Sequence, residues 1–222
     1  MGKKGRIMKI FLDTADIDQI RKYSFIIDRV TTNPSLIAKT KTEYPFEELI
    51  IEISKIVRGP ISVEIMSHKS SQMVEEAKQI SRISPNIVIK VPMTMEGLKA
   101  TKRLSGMIIK TNITLIFSAN QALLAANCGA TYVSVFVGRL DDIGHNGIAV
   151  VKDAVDIFTL HNYSTQVITA SVRNPMHVLP LAKVGSHVVT IPPPVIELMS
   201  RHNLTDAGLE FFLNDWKKVK PS

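Results

Sequence analysis

Eight short apolar runs rich in β-branched residues recur along the chain, each followed by a segment in which apolar residues return every three or four positions. The runs are KIFLDTA (9–15), RVTTNP (29–34), ISVEIM (61–66), IVIKVP (87–92), IKTNITLIF (109–117), YVSVFVG (132–138), QVITASV (166–172) and HVVTIPP (187–193). A strand followed by a helix, repeated in this way, is typical of a parallel sheet with crossover helices. With eight such units in 222 residues and no break in composition, the sequence predicts one α/β domain over residues 1–222, a (β/α)8 TIM barrel.

An additional helix is predicted at about residues 203–219, after the eighth unit. It would start with Thr205 as its N-cap and end at Lys218. An apolar stripe runs along it, formed by Leu209, Phe212, Leu213 and Trp216. The simpler expectation is that this stripe packs on its own barrel, and the alternative is that it clasps a neighbouring subunit.

Composition narrows the function classes. The formal net charge of +7 favours anionic ligands such as phosphorylated metabolites. The single cysteine, Cys128, has no internal disulfide partner, which favours a reducing compartment, and we expect the cytoplasm. The basic start MGKKGRIMKI has no apolar stretch typical of a secretory signal, and no run is long and apolar enough to span a membrane.

Several common site types lack their residues. The six histidines are scattered with no pair at i and i+4 and no cysteine cluster beside them, so no metal site is expected. No GxGxxG follows the first strand and no GxxxxGK[ST] occurs, so no nucleotide cofactor is expected. The basic residues are dispersed and aromatic residues make up 6%, so nucleic acid is not an expected partner.

Polar side chains share one face of the strands. Lys90 lies late in its strand in phase with Val88, and side chains in phase point to the same side of a barrel wall. The same phase and late position apply to Asp13, Thr31, Asn33, Glu64, Asn112, Thr114, Ser134, Ser171 and Arg173. Because active sites of this fold lie at the carboxyl ends of the strands, these groups predict a site there. Any single hydroxyl or amide has the alternative of being an ordinary buried hydrogen-bonded group. A second lysine, Lys110, opens its strand and is expected at the opposite rim.

Lys90 is the candidate nucleophile. In a partly desolvated, cation-lined pocket the neutral amine is favoured, and a neutral amine attacks a carbonyl carbon to form a Schiff base. Asp13 would move a hydroxyl proton, and Glu64 with Thr114 could hold a water molecule. Arg139 and Arg173 suit a phosphate group because guanidinium binds it bidentately. For Arg139 the alternative is a salt bridge to Asp141 or Asp142.

Seven segments resemble the transaldolase family, in particular its small single-barrel subfamily, which includes fructose-6-phosphate aldolases. They are FLDTA (11–15), VTTNPSLIAK (30–39), IVIKVPMT (87–94), EGLKA (96–100), TNITLIFSANQALLAA (111–126), YVSVFVGRLDDIGHNG (132–147) and TASVRNP (169–175). The resemblance runs from Met8 to about Trp216. It implies a class I, metal-independent enzyme without a cofactor that moves a dihydroxyacetone unit between ketose and aldose phosphates. The implied pathway is the pentose phosphate pathway, converting sedoheptulose 7-phosphate and glyceraldehyde 3-phosphate to erythrose 4-phosphate and fructose 6-phosphate.

The resemblance also implies roles for individual residues. The Schiff-base lysine would be Lys90, the proton-transferring carboxylate Asp13, the water-holding pair Glu64 and Thr114, the ligands of the dihydroxyacetone hydroxyls Asn33, Asn112 and Ser134, and the phosphate ligands Arg139, Ser171 and Arg173. Phe136 and Glu64 match transaldolases, since the aldolases of the family carry tyrosine and glutamine there. A fructose-6-phosphate aldolase and a catalytically silent sugar-phosphate binder remain alternatives.

Three positions depart from the family pattern, namely Val135, Asn146 and Asn174, where proline, aspartate and histidine or threonine are usual. They put the fine shape of the phosphate rim in doubt. The first residues, MGKKGRI (1–7), precede the usual start and are expected to be a disordered extension. The resemblance further implies a homo-oligomer, a pentamer or a decamer, in which the last helix is often swapped.

Overall fold

The computed structural model describes residues 7–40 and 42–219, so residues 1–6 of the predicted extension MGKKGRI (1–7) lie outside the described residues. Eight parallel strands pair in chain order and close into a barrel, which confirms the predicted (β/α)8 fold. The strands are β1 Lys9–Asp13, β2 Arg29–Thr31, β3 Ile61–Glu64, β4 Ile87–Pro92, β5 Thr111–Ile116, β6 Tyr132–Phe136, β7 Gln166–Ala170 and β8 Val188–Ile191.

Helices connect successive strands and cover the outside of the barrel. They are α1 Ile17–Tyr23, α2 Pro34–Lys39, α3 Phe46–Ile56, α4 Ser70–Ser81, α5 Met95–Gly106, α6 Ala119–Asn127, α7 Val137–Asp142, α8 Gly147–Leu160, α9 Pro175–Lys183, α10 Pro193–Ser200 and α11 Asn203–Trp216. Within the described ranges, no helix has the length and apolar character needed to cross a bilayer.

The lower half of the barrel interior is filled by side chains. A buried cluster consists of Phe11, Val88, Tyr132, Ile168 and Val188, one from each of five strands. Below it, Arg29 donates to the Tyr132 hydroxyl (3.0 Å), and its guanidinium lies 5.5 Å from the centroid of the Phe11 ring. The barrel interior beside these side chains is therefore occupied by the protein itself.

The end of the sixth strand and the start of the additional helix differ from the bounds that the sequence predicts. The sixth strand stops at Phe136 instead of residue 138, because the chain turns directly into α7 at Val137. The N-cap of α11 is His202, whose Nδ1 accepts from the Leu204 amide (3.1 Å), so the prediction of Thr205 as N-cap was wrong. Thr205 lies inside the first turn because the imidazole supplies the acceptor three residues earlier.

The additional helix α11 exists as predicted, but it does not pack on its own barrel. None of its residues is buried, and the exposed fractions of Leu209, Phe212, Leu213 and Trp216 are 56%, 69%, 61% and 73%. The expectation of an intramolecular contact was therefore wrong for these side chains. Each of the eight strands is already followed by at least one helix of its own, and α11 is an addition after the last of these, α10.

One minor prediction is confirmed. Lys110 is exposed and immediately precedes β5, at the amino end of the barrel. Cys128 ends α6 before Gly129, and its side chain packs against the apolar core as a small, partly buried group.

Candidate active site

Lys90 lies inside the barrel near the carboxyl end of β4, next to a carboxylate. It is only 5% exposed, and its Nζ lies 3.0 Å from Glu64 Oε2 and donates to the Thr32 carbonyl oxygen at 3.2 Å. The pairing follows from the barrel register, because Lys90 stands opposite Glu64 on the neighbouring strand β3. The nearest charged group to the amine is thus an acid, and its surroundings differ from the cation-lined pocket expected.

Asp13 ends β1 and is bound by the hydroxyl of one threonine, which a second threonine contacts in turn. The Thr31 hydroxyl donates to Asp13 Oδ1 at 2.8 Å, and the same hydroxyl makes a short hydrogen bond with the Thr190 hydroxyl. Burial raises the pKa of the Asp13 carboxyl, because an ionised carboxylate is less stable away from water. The hydrogen bond from Thr31 and the charge of Lys90 act in the opposite direction on this pKa.

A cavity of about 160 Å³ opens at this end of the barrel. Its lining consists of Asp13, Thr31, Asn33, Lys90, Ser134, Phe136, Arg139, Ala170, Ser171 and Thr190. Most of the residues predicted from the sequence therefore surround one space. Glu64 reaches it through its ion pair with Lys90, whereas Asn112, Thr114 and Arg173 do not line it.

Asn112 and Thr114 lie on β5 and are buried, and neither lines the cavity. The Ser134 hydroxyl donates to Asn112 Oδ1 (2.8 Å), and Asn112 Nδ2 donates to the Ser62 hydroxyl (3.3 Å). This arrangement fixes the orientation of the amide and leaves one of its N–H groups available. Within the described part of the chain, the buried Thr114 hydroxyl has no hydrogen-bond partner. The hydroxyls of Thr101 and Thr111 also lack a partner there, but of the three only Thr114 lies late in a barrel strand, in phase with Asn112, where an unpaired hydroxyl suits a site that binds water or a polar ligand.

Asn33 serves both a helix and the cavity. Its Oδ1 accepts from the Leu36 amide (2.9 Å) and caps the N-terminus of α2, where Pro34 occupies the first position. The oxygen is thereby engaged with the helix, so the amide nitrogen is the group that a ligand can use.

The two predicted phosphate ligands differ in their surroundings. Arg139 forms no salt bridge within residues 7–40 and 42–219, so the predicted alternative of a bond to Asp141 or Asp142 was wrong; its guanidinium lies 5.2 Å from the centroid of the Phe136 ring. Arg173 instead binds both oxygens of Asp142 through its two terminal nitrogens. The hydrogen bond from Arg173 is the main reason that the pKa of Asp142 is lowered.

Ser171 lines the cavity together with Arg139 and lies two residues before Arg173, and its backbone conformation is unusual. Its φ angle is +61°, in the left-handed region that non-glycine residues rarely adopt. The loop also approaches α7 closely: a Cβ at Gly138 would lie 2.3 Å from the Ser171 carbonyl oxygen. Glycine at position 138 therefore allows Ser171 to reach the cavity beside Arg139.

The three departures from the family pattern lie outside the cavity lining. Asn146 accepts from the Ala149 amide (3.0 Å) and caps α8, a role that the usual aspartate could fill equally well. Val135 is buried within β6, and Asn174 precedes α9 without a side-chain cap. None of them contacts a predicted site residue through a hydrogen bond within the described ranges.

Sequence reasoning missed one cavity residue with a polar contact, Thr190, and assigned no role to Thr31. Both could have been found from strand phase, because Thr190 is in phase with Val188 and lies near the carboxyl end of β8, as Thr31 does in β2. Strand phase cannot predict the hydrogen bond between Thr31 and Thr190, because the two residues lie 159 positions apart in the chain.

The site therefore combines a buried amine, two carboxyl groups and an available guanidinium. An amine beside carboxyl groups can form and hydrolyse an imine, and the guanidinium at the rim can bind an anionic group. In the portion of the chain that the structure covers, no three His, Cys, Asp or Glu side chains are grouped so that they could hold a metal ion.

Comparisons with known proteins agree with the fold and identify the family. A family model described as Transaldolase/Fructose-6-phosphate aldolase matches residues 10–221. Similar curated proteins named "Probable transaldolase" include one from a Thermoanaerobacter species, 55% identical and covering 96% of this chain and 98% of its own, and one from Caldicellulosiruptor saccharolyticus, 56% identical with the same coverage. A solved structure of a mandelate oxidase variant covers 83% of this chain and 64% of the oxidase with a TM-score of 0.57; at 12% identity it shows a shared barrel fold only. With a family match over nearly its whole length and relatives above half identity, the chain belongs to the transaldolase/fructose-6-phosphate aldolase family.

Proposed function

We propose that this chain is a transaldolase that acts through a Schiff base on Lys90 and needs no metal ion. The observation that carries the proposal is the buried Lys90 amine, 3.0 Å from the Glu64 carboxylate and in one cavity with Asp13. An amine so placed can lose its proton to a neighbouring carboxylate and attack a carbonyl carbon. The names of the relatives support the same activity.

In the proposed reaction, Lys90 Nζ attacks the C2 carbonyl carbon of a ketose phosphate, and the C2 oxygen leaves as water to give a protonated imine. Asp13 takes the proton of the C4 hydroxyl, the C3–C4 bond breaks, and its electron pair moves into the iminium. An aldose phosphate departs and an enamine of dihydroxyacetone stays on Lys90. The enamine carbon then attacks the acceptor aldehyde, Asp13 returns its proton to the new hydroxyl, and water hydrolyses the imine.

The remaining polar groups would bind water and hydroxyls. Glu64 and Thr114 would hold the water molecule used in imine formation and hydrolysis, a role supported by the unpartnered Thr114 hydroxyl noted above. Asn33, Asn112 and Ser134 would bind the hydroxyls of the dihydroxyacetone unit. This role is supported because each of the three side chains keeps a hydrogen-bonding group that its contacts within the protein do not use.

The phosphate would bind at the rim formed by Arg139 and Ser171, which line the cavity together. We include Arg173 as a further ligand, acting through its Nε–H, because its terminal nitrogens are engaged with Asp142. The substrates that fit such a site are ketose and aldose phosphates, such as sedoheptulose 7-phosphate with glyceraldehyde 3-phosphate.

Reductive trapping tests the Schiff base. Borohydride added to the enzyme with fructose 6-phosphate should fix an adduct on Lys90, which peptide mass spectrometry identifies. Lys110→Met is the matched control, since it removes an exposed lysine at the opposite end of the barrel and should leave trapping intact. Active protein in which Lys90 stays unmodified would contradict the mechanism.

The alternative within the family is an aldolase that releases free dihydroxyacetone. Phe136 favours transfer, because its ring lines the cavity and offers no hydroxyl to orient the water that would release the bound unit. We expect Phe136→Tyr to raise dihydroxyacetone release relative to transfer, measured with and without an acceptor aldose phosphate. Wild-type protein that releases dihydroxyacetone as fast as it transfers it would favour the aldolase. Ligand binding with neither transfer nor trapping would favour a silent sugar-phosphate binder.

We also propose that the protein assembles as a homo-oligomer, a pentamer or decamer, through α11. The support is the exposed apolar stripe from Leu209 to Trp216, since an apolar surface of this kind is usually covered by a partner.

A further inference from the structure

Two threonine hydroxyls lie beside the Asp13 carboxyl and form a chain with it. Thr31 and Thr190 are 3% and 2% exposed and come from β2 and β8, the two strands that flank β1. In the barrel register, Thr31 stands opposite Asp13 and Thr190 stands opposite Phe11. Their hydroxyls therefore meet in front of β1, inside the barrel and at the base of the cavity.

The direction of the two hydrogen bonds follows from the number of hydroxyl protons available. A threonine hydroxyl has one proton to donate. Because Thr31 donates to Asp13 Oδ1 at 2.8 Å, the proton in its bond with Thr190 must come from Thr190. Within the described ranges, the Thr190 hydroxyl has no other hydrogen-bond partner. With Asp13 ionised, both hydroxyl protons are used, and the chain runs from Thr190 to Thr31 to Asp13.

The opposite direction is less favourable. If Asp13 were protonated and donated to Thr31, the Thr31 proton would turn to Thr190, and the proton of Thr190 would have no acceptor among the described side chains and would turn to the cavity that Thr190 lines. This direction needs an acceptor in the cavity that the forward direction does not need. In the forward direction the bonds polarise one another, and the last of them ends on a charged acceptor, where hydrogen bonds are strongest.

We propose that Thr190 is a positioning residue that acts through Thr31, holding the Thr31 proton on Asp13 and keeping that carboxylate ionised and oriented toward the cavity. The consequence for proton transfer rests on the role proposed for Asp13, whereas the effect of Thr190 on the carboxylate does not.

Other charges near Asp13 stay the same when Thr190 is changed. From β4, Lys90 acts on Asp13 electrostatically and is itself paired with Glu64 of β3. Arg139 of α7 lines the same cavity, and Arg29 of β2 is engaged one layer below. The strand β8, Val188–Ile191, contributes no titratable side chain. Replacing the Thr190 hydroxyl therefore tests the hydrogen-bond chain alone.

Direct titration of Asp13 is the first test. Full-length protein labelled with ¹³C at aspartate carboxyl carbons is titrated by NMR, with Asp13→Asn used to assign the resonance. We expect Thr190→Val to raise the Asp13 pKa and Thr190→Ser to keep the wild-type value. Thr169→Val is the matched control: it removes a buried strand hydroxyl that bonds to Ser186, away from the cavity, and should leave the Asp13 titration unchanged. An unchanged or lowered Asp13 pKa in Thr190→Val overturns the proposal.

Kinetics are the second test. In Thr190→Val, kcat for transfer at neutral pH should fall by about three- to tenfold, as expected for one lost hydrogen bond in the transition state. KM for fructose 6-phosphate should change by less than about twofold, because Thr190 is assigned no contact with the phosphate. The acid limb of the kcat profile should move to higher pH, and Thr190→Ser should restore it. An equal fall in Thr169→Val would show a general loss of packing and overturn the proposal.

The two proposals fail separately. If no imine is trapped on wild-type Lys90, the proposed function is wrong, and the NMR titration still decides the role of Thr190. If Thr190→Val does not fold, Thr190→Ala carries the same expectations, since it removes the hydroxyl without adding bulk beside Thr31.

Discussion

At the scale of single residues, the charged groups of the site differ in how far their neighbours already satisfy them. Lys90 is paired with Glu64, and Arg173 is bound through both terminal nitrogens by Asp142. Arg139 forms no ion pair within the described ranges; its guanidinium lies beside the Phe136 ring and acts on the Asp142 carboxylate only at longer range. A cation already bound to a carboxylate attracts a second anion less strongly, because the two charges largely cancel. Arg139 should therefore be the main ligand of an incoming phosphate.

We expect Arg139→Gln to raise KM for fructose 6-phosphate at least about tenfold, because the loss of one charge-assisted hydrogen bond weakens binding by about this factor. Arg173→Gln should raise it less, because its charge is balanced by Asp142. The measurement is KM in both variants for fructose 6-phosphate and for unphosphorylated fructose. The unphosphorylated sugar is the control, and its KM should not respond to either change. An equal rise in both variants for fructose 6-phosphate would show that Asp142 does not weaken Arg173.

At the scale of elements, the N-caps of the helices show which features of the fold are determined by neighbouring residues in the sequence. Several helices are capped by a side chain immediately before them, as Thr94 caps α5 and Ser118 caps α6, and such caps can be read from sequence. The helix α4 has Lys69 at its N-cap and no side-chain cap of its own. The carboxylate of Glu96 in α5 takes that role by accepting from the Ser70 amide at 2.9 Å. A cap from another helix cannot be predicted from local sequence.

This cap makes helix stability depend on pH. Hydrogen bonds from Lys99 and from the Ser70 amide lower the pKa of Glu96 to about 2. Since the folded-state pKa lies below the unfolded value, the contribution of Glu96 is complete above the unfolded pKa and is lost as pH falls toward 2. We expect Glu96→Gln to lower the free energy of unfolding at neutral pH and the difference from wild type to shrink as pH falls below the unfolded value.

Urea unfolding at several pH values measures this dependence. Glu75→Gln is the matched control, because Glu75 pairs with Lys78 at the same i, i+3 spacing on α4 but accepts no backbone hydrogen bond within the described part of the chain. Its effect at neutral pH should be smaller. Equal losses for both variants would mean that the interhelix cap contributes nothing beyond an exposed ion pair.

At the scale of the whole molecule, the barrel is complete without α11. The strands close on themselves, and apolar side chains from most of the other helices are buried against them, whereas no residue of α11 is buried. A helix with its apolar stripe in water has no reason to be stable at this length unless something covers it. The cover that we propose is another copy of the chain.

We expect Phe212→Ser combined with Trp216→Ser to reduce the mass of the assembly in solution, because both side chains belong to the exposed stripe. Light scattering on the full-length variant measures it, and truncation after Asn203 should have the same effect. Leu160→Ser is the control, since Leu160 is 75% exposed at the end of a different helix, α8. An unchanged mass in the double variant would remove α11 from the interface.

The sequence by itself determined the eight strand–helix units, the inward phase of Lys90 and the late position of the polar residues. These features follow from periodicity within a single element, which depends only on near neighbours in the chain. Tertiary structure decided the partners: Glu64 for Lys90, Asp142 for Arg173, and Thr190 for Thr31. Those contacts depend on strand register, barrel closure and the approach of loops, which join residues up to 159 positions apart. Because no local rule fixes such distances, the sequence indicated which groups would meet at the barrel mouth but not which of them would be paired and which left available.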